Sequence, residues 1–176
     1  MIRPEFKEAL VKQHQVLVVL WAFFFCALFI YLWISEFVLA QPGLSAGSDV
    51  YSPTRIALWL LAVFDLGTLV WWRKRFLTYE GILAEPGRYK ILQALQGHNS
   101  PLEERAAGII SSYVTSKIVA FAIIEAIAIY GFVLAFVGHH TRDQYLFSLV
   151  SGLLLVWEFP SKARLEGLVR EIEARG

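Results

Sequence analysis

Four apolar runs dominate this chain, and they are too long for the core of a soluble domain. A helix that crosses a bilayer needs about 20 apolar residues at 1.5 Å per residue. The first run, Val16 to Ala40, is broken only by Ser35 and Glu36. The second, Ile56 to Trp72, contains Asp65, and the third, Ile118 to Val137, contains Glu125. The fourth, Tyr145 to Phe159, is shorter and crosses only by borrowing residues at its ends. The expected fold is therefore all-α: a polytopic, four-transmembrane-helix bundle with spans near 16–40, 55–72, 117–138 and 144–159. A loop at 73–116 and a tail at 160–176 complete a single membrane domain of 176 residues. The first run exceeds the roughly 7–15 residues of a signal-peptide core, so a retained helix is expected.

Composition agrees with a bilayer as the main partner. Apolar residues make up 57% and charged residues 18% of the chain, against about 45–50% and 25% in soluble domains. A net charge of +1 lacks the basic face of a nucleic-acid binder. The single cysteine, Cys26, excludes an internal disulfide and reads as a packing residue.

The basic residues give the orientation. Three precede the first run (Arg3, Lys7, Lys12) and four follow the last (Lys162, Arg164, Arg170, Arg175). The middle loop holds seven: Arg73, Lys74, Arg75, Arg88, Lys90, Arg105 and Lys117. These 3 + 7 + 4 = 14 of the 16 share one side, and Arg55 and Arg142 take the other. The positive-inside rule then expects both termini in the cytoplasm, in a membrane of the bacterial inner-membrane kind.

Local signals refine the loops. Pro86-Gly87 breaks the middle loop, and Arg88 to Gln96 fits a short amphipathic helix ending at Gly97. Ser100-Pro101-Leu102-Glu103 has the form of a capping box with proline at the first helical position. No further proline occurs before Val137, so one helix is expected from about Pro101 to Val137. The short connection Gly138 to Gln144 makes the third and fourth helices an antiparallel hairpin. After Pro160, Leu165, Leu168, Val169 and Ile172 recur at helical spacing and predict an amphipathic helix on the membrane or on a partner.

Asp65 and Glu125 are the candidates for chemistry. A carboxylate at a span's centre costs about 2.5–3.5 kcal/mol on insertion scales, so such residues face protein and find partners. Asp65 is 73 − 65 = 8 residues from Arg73, and Glu125 is 125 − 117 = 8 residues from Lys117. Both therefore lie about 12 Å from a basic marker. Antiparallel packing of the second and third helices allows the two acids to meet and share a proton, since both cannot readily ionise at one site. The simpler reading makes each a neutral hydrogen-bonding tie between helices. Small residues mark a packing face on the third helix: Ala122, Ala128, Gly131 and Ala135, with Glu125 among them.

The segment Glu125-Ala-Ile-Ala-Ile-Tyr-Gly-Phe-Val-Leu-Ala135 resembles the ion-carrying helix of rotary ATP synthase c subunits, the proteolipids. In that family the Glu binds the transported proton or cation, and the resemblance implies that role for Glu125, with Tyr130 a nearby structural residue. It covers 125–135 alone. The family's glycine-rich partner helix has no counterpart, since Trp59, Phe64, Trp71 and Trp72 occupy the second span. The loop at 73–116 also replaces a short polar connection.

His139 and His140, with Asp143, are weak metal-ligand candidates, because adjacent loop histidines are more often plain polar residues. Glu36 and Glu158 sit near helix ends. No nucleophile–base pair, phosphate loop or zinc motif is present, and no pattern singles out a pigment, quinone or other cofactor. The leading expectation is a small non-enzymatic membrane subunit whose partners are lipid and other membrane subunits. The alternative is proton or cation translocation through Asp65 and Glu125; a lipid-acting enzyme has only the acids and outer histidines behind it.

Orientation is tested by labelling single cysteines from outside with an impermeant thiol reagent, in a Cys26→Ala background. Ser45→Cys and His140→Cys are expected to label in intact cells. Labelling of Lys90→Cys or Arg170→Cys would invert the topology.

Overall fold

α-Helix is the only regular structure among the described residues of the computed structural model, which cover 4–39, 48–78, 81–82, 101–138 and 141–175. The long helices are α1 (Pro4–Leu39), α2 (Ser48–Phe76), α3 (Pro101–Gly138), α4 (Thr141–Trp157) and α5 (Lys162–Arg175). Three segments are long and apolar enough to cross a membrane: Val11–Leu39, Ser52–Phe76 and Glu103–Gly138. A fourth is available if α4 and α5 are counted as one broken span.

α3 is continuous over 38 residues and passes through both Gly108 and Gly131. At 1.5 Å per residue it is about 57 Å long, nearly twice a hydrocarbon core of about 30 Å. The expected single helix over 101–137 is present; Ser100, the proposed cap, lies outside the described residues, as does the amphipathic segment 88–96.

The chain divides into two compact units. One contains residues 1–20, 72–119 and 159–176. Its apolar core includes Leu17, Leu77, Ile109, Ile110 and Val114, together with Leu165, Leu168 and Ile172 of α5. The apolar face of α5 is thus buried within this chain, not spread on a membrane or a partner. Side chains tie this unit's backbone: Arg164 donates to the Leu77 carbonyl at 2.8 Å, and Trp72 Nε1 donates to the Ser116 carbonyl at 3.1 Å. His14 Nε2 donates to the Pro160 carbonyl at 2.9 Å.

The other unit contains residues 21–71 and 120–158. Here α3 is the most enclosed helix, with Ala120, Phe121, Ile124, Ile127, Ala128, Leu134 and Ala135 all at most 1% exposed. α4 packs antiparallel on it, as the short connection predicts: Ser151 donates to the Ile124 carbonyl at 3.0 Å, while Gly131 lies against Gln144 and Phe147. α2 packs on a second flank of α3, where Ala62 clusters with Ile127, Leu134 and Phe147. α1 takes a third flank, with Phe24 against Phe121 and Tyr31 against Phe132. Contacts 24–121 and 31–132 advance together, so α1 runs parallel to α3. Contacts 55–143 and 59–147 share an offset of 88 (143 − 55 and 147 − 59), so α2 runs parallel to α4.

Gly131 marks a close approach of α4 to α3. A Cβ there would stand 2.7 Å from Phe147 Cβ and 3.0 Å from Gln144 Cα, and backbone cannot swing aside. Small residues allow such approach, and packing is the main force between helices in lipid. Gly67, by contrast, has nothing within 4 Å of a built Cβ. Gly131→Ala is therefore expected to destabilise the protein by about 1–3 kcal/mol through overpacking, read from unfolding in mixed micelles. Gly67→Ala is expected to be neutral or slightly stabilising. Equal stability of the two variants would contradict the close α3–α4 contact.

Candidate functional site

Asp65 and Glu125 are hydrogen-bonded to different tyrosines and not to each other. Tyr31 of α1 donates its hydroxyl to Glu125 Oε1 at 2.7 Å. Tyr130 of α3 donates to Asp65 Oδ2 of α2 at 2.8 Å. Glu125 and Tyr130 are five residues apart, which places them about 140° apart around α3. Glu125 therefore serves the α1 flank, while Asp65 is held on the α2 flank. The expected meeting of the two carboxyls gives way to two separate tyrosine–carboxyl ties, each joining α3 to a different neighbour.

A third tie of the same kind joins Tyr145 of α4 to Glu36 of α1. It gives Glu36 an interhelical partner at the end of its span. Gln144 adds a further link, donating from Nε2 to the Tyr31 carbonyl at 2.9 Å, and Trp21 Nε1 donates to the Leu155 carbonyl at 2.7 Å. α1 is thus stitched to both α3 and α4 around Tyr31, whose hydroxyl and carbonyl are both used. At the α2–α4 end, Arg55 pairs with buried Asp143 at 2.7 Å.

Asp65 and Glu125 are both half-buried. Each carboxyl has two oxygens, and the hydrogen bonds account for one of each. A carboxyl in hydrocarbon without water must have its polar atoms met by protein, because an unsatisfied group costs several kcal/mol there. One tyrosine each meets half of that demand. Tyrosine is well suited to this position, since its ring packs in an apolar slot while its hydroxyl supplies the donor.

The small-residue stripe divides. Ala128, Gly131 and Ala135 are buried in the α3 core, whereas Ala122 is exposed. Steps of three residues lose about 60° each against a 3.6-residue turn, so from Ala122 to Gly131 the stripe winds about half-way around the helix. Only its second half meets this chain. Glu125 lies between, at the margin of the packed surface.

The remaining candidates resolve less. His139 and His140 lie outside the described residues, and their proposed companion Asp143 is engaged by Arg55. Among the described residues no three His, Cys, Asp or Glu side chains cluster as a metal site. Glu158 is 2% exposed and has interactions of its own. Sequence reading missed Tyr31, Tyr145, Gln144 and Ser151, which complete the polar contacts. The available signal was the same one that marked the acids: a hydrogen-bonding side chain deep in an apolar run. No protein-family model, curated protein or solved structure matches this chain.

Proposed function

We propose that this chain is a small, non-enzymatic integral membrane subunit of a larger complex, crossing the bilayer four times with both termini in the cytoplasm. The helix directions in the unit formed by 21–71 and 120–158 alternate up and down, as four crossings require. The 14-to-2 division of basic residues supports the orientation, in a membrane of bacterial inner-membrane type.

The observation that carries the reading is the separation of the acids. A carrier working through both Asp65 and Glu125 would need a proton to pass between them, yet each is tied to its own tyrosine on a different flank of α3. Ties of this kind are what interhelical packing in lipid calls for: a polar group on one helix answered by a donor on the next. On this reading the segment 125–135 resembles the proteolipid helix because both use small residues around one buried acid. The same acid serves here to hold α1 against α3.

Proton or cation translocation is the competing function, and Glu125 separates the two. Gln keeps the carbonyl that accepts the Tyr31 hydroxyl but cannot exchange a proton. For a structural tie, Glu125→Gln is expected to leave the recovery of folded protein in mild detergent nearly unchanged. Glu125→Leu is expected to cost about 1–2 kcal/mol, for a lost interhelical hydrogen bond. Vesicles carrying the complex as purified are expected to show no proton flux that depends on Glu125. A flux abolished by Glu125→Gln while the protein stays folded would replace the structural reading with carriage.

A further inference from the structure

One face of α3 in the 120–138 stretch is left uncovered. Ala122 is exposed, Ile129 is 39% and Val133 37% exposed, and Ala126 is half-buried. At about 100° per residue these four fall within about 60° of one another. Glu125 lies about 60° to one side of Ala122, and Tyr130, which holds Asp65, lies about 80° to the other. The stripe is thus edged by the α1 flank with Glu125 and by the α2 flank with Asp65.

Each edge keeps one carboxyl oxygen open. Among the described residues, Glu125 Oε2 and Asp65 Oδ1 take no hydrogen bond, and neither residue has other interactions beyond those with Tyr31 and Tyr130. On the four-crossing reading, both acids lie about 12 Å along their helices from the basic residues Arg73 and Lys117, deeper than a lipid headgroup. Small residues at Ala122 and Ala126 have the small-xxx-small spacing that lets a second helix backbone approach closely.

We propose that this stripe is the docking surface for a transmembrane helix of another protein, one that presents a basic side chain (Lys, Arg or His) at the depth of Glu125 and Asp65. The inference rests on the subunit reading and names its contact. Charge complementarity selects the occupant. A buried cation pairs with buried carboxylates, and such residues in membrane helices face protein and pair with one another. A second copy of this chain does not supply that cation. No Lys, Arg or His occurs at 15–39, 56–72, 118–138 or 143–157, so the apolar segments hold no basic residue at this depth. The partner docks against Ala122, Ala126, Ile129 and Val133, with its basic side chain reaching a carboxyl oxygen that a tyrosine leaves open on one edge of the stripe.

Photo-crosslinking of the full chain in its native membrane tests this. A photoreactive phenylalanine analogue is placed singly at Ala122, Ile129 or Val133, and, as controls, at the equally apolar exposed positions Phe23 and Leu153. The three stripe positions are expected to capture one membrane protein, through a transmembrane peptide carrying Lys, Arg or His within about one turn of the adduct. The controls are expected to capture lipid. Asp65→Asn combined with Glu125→Gln, which keeps the tyrosine acceptors and removes the charges, is expected to lower the stripe adduct about fivefold or more, with folded recovery unchanged. Adducts to a second copy, to a peptide without a basic residue, or to lipid alone from the stripe would overturn the proposal. So would an adduct yield that the double variant leaves intact. A protein partner captured from Phe23 or Leu153 but not from the stripe would also overturn it while leaving the subunit reading standing. Absence of any protein adduct at all five positions would bring down both.

Discussion

A polar side chain in hydrocarbon has no water to fall back on, and that constraint organises the unit built from 21–71 and 120–158. Its answer is a set of hydrogen bonds running between helices. Tyr31 to Glu125 fastens α1 to α3, Tyr130 to Asp65 fastens α2 to α3, and Ser151 to the Ile124 carbonyl fastens α4 to α3. Each bond is worth only about 0.6 kcal/mol on average and up to about 1.7 in membrane proteins. Their larger effect is on specificity, since a wrong rotation of any helix would strand a carboxyl in lipid. α4 comes close to α3 because α3 is small there: Gly131 accepts Phe147 and Gln144.

The long apolar runs, the helix from Pro101 onward and the α3–α4 hairpin were legible in the sequence because each follows from length, period or turn chemistry. The importance of Asp65 and Glu125 was legible from cost alone: a carboxylate at that depth needs a reason. Their partners were not. Depth arithmetic places two residues at one level but says nothing of their azimuth, and the azimuth separates them. The five-residue step from Glu125 to Tyr130 turns the two ties onto different flanks of α3. The same blindness made the small residues of α3 look like one face. Steps of three drift around a helix of 3.6 residues per turn, so Ala122 is exposed while Gly131 is buried. Tyr31 and Tyr145 went unmarked because an aromatic residue in an apolar run reads first as packing.

The unit formed by 1–20, 72–119 and 159–176 buries polar side chains too, with Glu103 and Lys117 both 1% exposed and each engaged by other groups. The apolar face of α5 (Leu165, Leu168, Ile172) is used up in its own core. The α3 stripe, by contrast, is an apolar face left exposed. Its two edging carboxyls each take one hydrogen bond, from Tyr31 and from Tyr130.

The central claim is that each acid is tied to its own tyrosine and not to the other acid. Double-mutant cycles on unfolding in mixed micelles measure this directly, through Tyr31→Phe with Glu125→Leu, Tyr130→Phe with Asp65→Leu, and Asp65→Leu with Glu125→Leu, changes that remove the acceptor as well as the donor. The structure predicts a coupling of about 0.5–1.5 kcal/mol within each tyrosine–acid pair and additivity between the two acids. Strong coupling between Asp65 and Glu125, with additive tyrosine pairs, would contradict it.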